Sequence, residues 1–449
     1  RLRCHPCRIA CRAGDVCRVS ARKHAPLLYA FYGDDFTGST DVLESLGIHG
    51  VDAVLFTRTP TARDLNAFSH CRAIGIAGEC RSRSPEWMSR NLPAIFRALS
   101  RLGAPVNHYK VCSTFDSSPH VGNIGRAMEI GRSVFGPQPV PIVVGAPRLG
   151  RAVVFGKLYA TAGGEFYRID HHPTMRRHPV TPMTEADLRR HLALQTRLRT
   201  GLVDLTAFSS RSVDAQFQNQ GKAAQAIVFD GFIDAMLEQT ARLICDRANR
   251  RPIFAVGSSG LTHGLLLHWS ALGLIPPAKP PAPAQRVDRL LVLSGSCSPI
   301  TANQIRHATK SGFATLHLQG PAPWRVQATR TLESLARGQS VVLYTALGPQ
   351  AKDKEHGEYF GRALGTLLRR LVLESGVRRV LIAGGDTSTH AVKQLDLHAL
   401  TFAASLSPGV PLCRAHAPGS PLHGLELALK GGQMGSDEFF ARVRDGRAR

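Results

Sequence analysis

Residues 27–46 read LLYAFYGDDFTGSTDVLESL. An apolar run of strand length stops at Gly33, two acids and a Thr-Gly-Ser turn follow, and from about Asp41 the spacing predicts a helix. Three further stretches repeat this grammar: PIFAVGSSGLTHGLLLHW from Pro252, RLLVLSGSCSPITANQI from Arg289 and RRVLIAGGDTSTHAVKQL from Arg378. Strand, glycine loop and helix in alternation mark α/β architecture with mainly parallel sheets. No fixed period links the four units, so the pattern is recurring architecture and not a repeat array. Between the second and third lies PPAKPPAPAQR, residues 276–286, too rich in proline for a helix interior or a central strand. It reads as a stiff linker between two α/β domains, residues 27–275 and 287–449.

The whole chain of 449 residues is long enough for two such cores. Its hydrophobic content of 43% and charged content of 20% are those of a globular protein, and no apolar run approaches the roughly 18 residues of a membrane span. The net charge of +23 raises the question of nucleic acid. Distribution argues against it. The first 25 residues hold seven basic residues and one acidic, a net +6, and the +17 that remains is scattered, with no run of five or six like charges. Only 6% of residues are aromatic, few for stacking on bases. A basic cleft for small anions fits better.

Four of the ten cysteines, Cys4, Cys7, Cys11 and Cys17, crowd into the first seventeen residues. Their spacing can be drawn as a zinc site, but the segment is arginine-rich and lacks an apolar period or a secretory core. Residues 1–26 are therefore expected to be a disordered or non-native basic leader. The other six thiols are dispersed, as in a protein kept reduced in the cytoplasm.

Candidate chemistry gathers at the loops. Asp34 and Asp35 follow the first strand, where open α/β sheets place ligands, and could orient hydroxyls, accept a proton or hold magnesium. A plainer role is equally open to them: one caps the helix and the other is solvated. YKVCSTFDSSPHVGNIGRA, from Tyr109, sets Lys110, Ser113, Asp116 and Asn123 close together, a cation for a sugar-acid carboxylate and polar groups for its hydroxyls, or else a turn-rich loop. DHHPTMRRHPVTPM, from Asp170, concentrates His171, His172, Arg176, Arg177 and His178. The neighbouring arginines would repel a divalent cation, so anion recognition or a basic surface loop suits it better than a metal. GSSG at 257–260, SGSCS at 294–298, GGDTS at 384–388 and LKGGQMG at 429–435 could cradle phosphate with backbone N–H groups. None is a Walker A loop or a dinucleotide fingerprint.

Taken in order from Leu28 to Phe440, these motifs resemble the four-carbon acid sugar kinases, the DUF1537 family. GDDFTGSTD resembles the family's ADDFTGATD, YKVCSTFDSS its YKYCSTFDST and MRRHPVTPM its MRHHPINPM. GSSGL is similar to GGSGL, LIAGGDTS to VAGGETS and LALKGGQMG to LALKSGNFG, while VLSGSCS and SPGVP match. Asp386 stands where many relatives have Glu, and Gln433 where Asn is usual. The resemblance implies a sugar-acid-binding N-terminal domain, a nucleotide-binding C-terminal domain, ATP-dependent phosphorylation of a terminal hydroxyl and an active site in the interdomain cleft. It makes Asp34, Asp35, Lys110, Ser113, Asp116 and His178 substrate-side residues, and Ser259, Gly384, Gly385, Asp386, Thr387 and Gly435 nucleotide-side residues. Mg²⁺ would bridge the phosphates, Lys110 or Arg176 would neutralise the carboxylate, and Asp34 or Asp35 would accept the hydroxyl proton, with Asp116 or Asp386 next in line. The CSTFDSS string sits nearer the 3-oxo-tetronate kinase branch, and threonate, erythronate and 3-oxo-isoapionate stay open as substrates. A non-catalytic binder that keeps the fold is the competing expectation. No nucleic-acid or membrane partner is expected, and a homodimer is.

Overall fold

The computed structural model describes residues 26–178, 180–279, 282–320, 323–348 and 354–447. The cysteine-rich leader falls outside the described residues up to Ala25. The strands of the N-terminal half are β1 (Tyr29–Gly33), β2 (Ala53–Phe56), β3 (Ala73–Ala77), β4 (Val106–Lys110), β5 (Val140–Val143), β6 (Arg151–Val154), β7 (Lys157–Ala162), β8 (Glu165–Arg168), β9 (Thr200–Val203), β10 (Ala226–Phe229) and β11 (Ile253–Gly257). Those of the C-terminal half are β12 (Leu291–Ser294), β13 (Ala314–His317), β14 (Val341–Tyr344), β15 (Arg379–Ala383), β16 (Ala399–Ser407), β17 (Val410–His416) and β18 (Glu426–Lys430).

β1, β3, β4 and β11 run parallel at the centre of the N-terminal half, and β12, β14, β15 and β18 do so in the C-terminal half. All five residues of β1 are buried, which is why this strand reads as a continuous apolar run and not as an alternation. Parallel pairing aligns the carboxyl ends. Ala77, Gly33, Lys110 and Gly257 stand in register across β3, β1, β4 and β11, and Ser294, Ala383 and Lys430 across β12, β15 and β18. The loops after β1, β4 and β11, and those after β12, β15 and β18, therefore leave their strands at matching levels, whereas the 170–183 stretch follows β8. β6, β7 and β8 form a separate antiparallel sheet.

The two halves are joined more closely than the sequence suggested. β16 pairs antiparallel with β2, Ala399 opposite Phe56 and Leu400 opposite Leu55, so that one fifteen-stranded sheet runs through both halves. Each strand would otherwise be an edge with unpaired N–H and C=O groups, and pairing the two edges satisfies both. The proline-rich stretch carries no helix or strand over 276–279 and 282–289. It is fastened to both halves: the Lys279 N–H donates to the Ile48 carbonyl at 3.1 Å, and Arg379 donates to the Gln285 carbonyl at 2.7 Å.

The helix after β1 spans Phe36–Ile48, starting five residues earlier than its apolar spacing suggested. The reason is local. The Asp35 carboxylate accepts the Gly38 N–H at 2.5 Å and caps the helix there. Its residues are buried on most sides because it packs against the Ser259–Ala271 helix on one side and β16 and β17 of the other half on another. No described helix is long and apolar enough to cross a membrane.

Candidate active site

Asp34, Asp35 and Lys110 are all buried at the carboxyl ends of β1 and β4. The two acids part ways in their bonding. Asp35 is fully committed: one oxygen caps the helix and the other receives Arg81 Nη1 at 3.0 Å. Arg81 continues through Nη2 to Asp116 at 2.6 Å, so one guanidinium bridges two carboxylates from two different loops. Burial works to raise the Asp116 carboxyl, but the charges of Arg81 and His178 and the Thr114 hydroxyl at 2.5 Å outweigh it and hold that group low. Phe115, wholly buried at φ 54°, gives the loop the left-handed bend that precedes Asp116.

Asp34 differs, because its buried Oδ1 has no hydrogen-bond partner among the described residues. Burial, reinforced by the Asp35 charge and opposed by Arg81 and Lys110, pushes its carboxyl up to about 7. Lys110 and the two acids approach residue 38 closely enough to require glycine there. A Cβ on Gly38 would lie 2.9 Å from Lys110 Nζ, 2.9 Å from Asp35 Oδ1 and 3.9 Å from Asp34 Oδ1. The position lies inside the helix, so the glycine answers this close approach and does not serve a turn.

The other substrate-side candidates differ in burial and in what ties them to the acid cluster. His178 accepts the Thr181 N–H at 3.1 Å, and the Thr181 hydroxyl donates to Asp116 at 3.3 Å, which ties the histidine loop to the acid cluster. Ser113 is half-buried in the Asp116 loop, whereas Arg176 and Arg177 are exposed. His171 pairs with Asp170 on the surface, and His172 accepts the N–H groups of Thr174 and Met175. Among the described residues no group of three or more His, Cys, Asp or Glu could hold a metal.

In the C-terminal half three glycine loops converge. A Cβ on Gly295 would lie 2.1 Å from Thr387 Oγ1, and one on Gly432 would lie 2.7 Å from Ser296 Oγ. Gly384, at φ 115°, takes a conformation that suits glycine, and its Cβ would lie 3.2 Å from the same Thr387 hydroxyl. Two of the loops feed helices: Pro299–Lys310, whose Ile300 N–H is capped by Ser298 Oγ at 3.2 Å, and Gly385–Gln394, whose N-terminus has no side-chain cap. Glycines that let three loops pack this closely beside two helix N-termini suit the approach of nucleotide phosphates. Gly435, at φ 81°, lies in the third loop against Phe439. The side chain of Asp386 lies outside the described residues. The fourth loop, GSSG, sits in the other half. There Ser258 caps the Ser259–Ala271 helix, and Ser259 lines a narrow cleft with Asp41, Arg148 and His263.

The two clusters face each other. A Cβ on Gly385 would lie 3.6 Å from Asp35 Oδ2, the Phe36 N–H donates to Thr389 Oγ1 at 3.4 Å, and Lys393 pairs with Glu79 at 2.6 Å. Arg81, Glu79, Lys393 and Lys430 were not among the sequence candidates. Arg81 sits in ECRSRS, one of many paired arginines. The available signal was its place just beyond the carboxyl end of β3, where a parallel sheet puts its ligands.

Two family models match the chain in tandem, a sugar-binding N-terminal domain over residues 29–265 and a nucleotide-binding C-terminal domain over residues 291–440. The chain is 42% identical to a 3-oxo-isoapionate kinase of Paraburkholderia graminis over 448 residues, covering 94% of this chain and 95% of that one. It is 30% identical to a 3-oxo-tetronate kinase of Pectobacterium atrosepticum, covering 92% and 97%. In three dimensions it is similar to a Salmonella typhimurium LT2 protein solved under the working description of a tRNA synthase, with a TM-score of 0.74 and 25% identity over 94% of this chain and 100% of that one. The chain belongs to the four-carbon acid sugar kinase family, DUF1537.

Proposed function

We propose that this protein transfers a phosphoryl group from ATP to the terminal hydroxyl of a 3-oxo sugar acid, with 3-oxo-isoapionate the favoured substrate. The observation that carries the reading is the approach of the two clusters: Asp35, of the acid cluster, comes within 3.6 Å of a Cβ built on Gly385, at the head of the C-terminal glycine loops. Phosphoryl transfer asks for this arrangement, because it needs two substrates positioned and charge neutralised more than it needs covalent chemistry.

Lys110 would pair with the sugar-acid carboxylate. Its ammonium donates once, to the Val111 carbonyl at 2.9 Å, and has further protons for a ligand. Arg176, being exposed, is less suited to this than Lys110. Asp34 would accept the hydroxyl proton, since it has an unpartnered oxygen and a carboxyl raised toward neutrality. Asp35 and Asp116, locked by Arg81, would hold the sugar hydroxyls in place. The N–H groups around Gly295, Gly384 and Gly432 would hold the phosphates. Since the described residues form no metal cluster of their own, a Mg²⁺ brought in as part of MgATP would be held chiefly by the nucleotide phosphates and would supply neutralisation of charge on the transferred group.

The 42% identity to a 3-oxo-isoapionate kinase, against 30% for a 3-oxo-tetronate kinase, supports the substrate choice. ADP release from ATP and Mg²⁺ is the test, with freshly prepared 3-oxo-isoapionate, 3-oxo-tetronate, D-threonate and D-erythronate as acceptors. The expected order puts 3-oxo-isoapionate first in kcat/KM. ADP binding without turnover on any acceptor would instead point to a binder that has kept the kinase fold.

A further inference from the structure

Lys430 closes β18 with its side chain fully buried. Its ammonium donates to Thr301 Oγ1 at 3.0 Å, to the Gly431 carbonyl at 3.1 Å and to the Gly432 carbonyl at 3.3 Å. No acid pairs with it among the described residues, and burial alone draws its pKa down to about 7. Thr301, also buried, donates to the Gly432 carbonyl at 3.0 Å. Buried Gln304 donates from one nitrogen to the carbonyls of Met434, Gly435 and Ser436 at 2.9–3.1 Å. Five carbonyls of one glycine loop are thus drawn inward onto three side chains.

A trans peptide plane carries its C=O and its N–H on opposite sides. Gathering these carbonyls beneath the loop therefore turns the N–H groups of Gly432, Gln433, Gly435, Ser436 and Asp437 the other way. An outward row of N–H groups is an anion nest. A buried cation without a protein counter-charge is costly by itself, and an anion seated on that nest supplies the missing charge.

We propose that Lys430 is a positioning residue for the phosphoryl donor: with Gln304 it holds the 431–436 loop with its N–H groups toward the nucleotide phosphates, and its own charge is balanced by them. This rests on the nucleotide reading of the C-terminal loops given above. The test compares the full-length wild type with Lys430→Met and Lys430→Gln in three measurements: ADP affinity by calorimetry, KM for ATP and for the sugar acid, and Tm without ligand. In the Met variant ADP affinity should fall at least tenfold and KM for ATP should rise in step, while KM for the sugar acid stays within twofold. The Gln variant, which keeps two donors and loses the charge, should fall between. Tm should hold or rise, because the variant removes an unpaired buried charge; a lysine that merely supported the fold would lower Tm and leave the KM for ATP alone. If the Met variant does not fold, the Gln variant decides, with a threefold loss in ADP affinity as the threshold. Wild type binding no ADP overturns the nucleotide reading and this proposal with it. Wild type binding ADP, with variants equal to it, overturns the proposal alone.

Discussion

Asp34 and Asp35 are neighbours in sequence with opposite assignments. Asp35 takes the plainer role foreseen for one of the pair, since it caps the helix, yet neither acid is solvated. Asp35 is less open to a substrate hydroxyl, because the Gly38 N–H and Arg81 already engage its two oxygens. Asp34 lacks such partners at Oδ1, and its carboxyl is pushed up to about 7 by burial first and the Asp35 charge second. Asp34→Asn should lower kcat by about 10² or more and leave ADP affinity nearly unchanged. The wild-type kcat/KM profile should fall on the acid side of about pH 7, where Asp34 takes up its proton. A variant with wild-type kcat would move the base to another carboxylate. The motifs made Asp34, Asp35, Lys110 and Asp116 legible, because each stands at a strand end in a string of unusual polar density. Arg81 was not legible, because its meaning lies in bridging Asp35 and Asp116, which are 81 residues apart in sequence and meet only through parallel pairing of β1 and β4.

At the scale of elements, the Phe36–Ile48 helix holds the two halves together. Glu44, on its buried side, accepts the Ser405 hydroxyl and, at 2.6 Å, the Gly409 N–H, both from the C-terminal half. Burial pushes its carboxyl up to about 7, against the pull of those hydrogen bonds. The sign of the linkage follows. A carboxyl whose folded pKa exceeds its unfolded value holds more protons in the folded state, so its contribution to stability declines as pH rises from about 4.5 to about 7. Glu44→Gln mimics the protonated form. It should raise Tm by a few degrees at pH 8 and leave it nearly unchanged at pH 4.5, with thermal unfolding across that range as the measurement. An equal shift at both pH values would show that charge burial is not the cause. The four strand, loop, helix units were readable from local pattern, but the closure of β2 on β16 was not, since edge pairing between remote strands depends on register and on which edges are left open.

At the scale of the molecule, the +17 outside the leader suits two anionic ligands brought to one cleft. The two halves meet through the β2–β16 pairing, the contacts of the Phe36–Ile48 helix and an ion pair beside the candidate site. Glu79, two residues before Arg81, pairs with Lys393 at 2.6 Å and with Arg83 at 2.8 Å. Lys393 lies in the last turn of the Gly385–Gln394 helix, whose first turn faces Asp35. Burial works to raise the Glu79 carboxyl, and its hydrogen bonds and charges with Lys393 and Arg83 outweigh this and keep it low. A helix is stiff over ten residues, so a displacement of its head by phosphate is felt at Lys393, and through Glu79 at the loop that carries Arg81. Binding coupled in this way must be reciprocal. Saturating sugar acid should tighten ADP binding several-fold, and ADP should tighten sugar-acid binding by the same factor. Lys393→Met should bring that factor close to one while each ligand alone binds within about threefold of wild type, as calorimetric titrations with and without the second ligand would measure. A variant that keeps the full factor would mean that coupling runs through the Phe36 to Thr389 hydrogen bond or the shared sheet, neither of which this substitution touches.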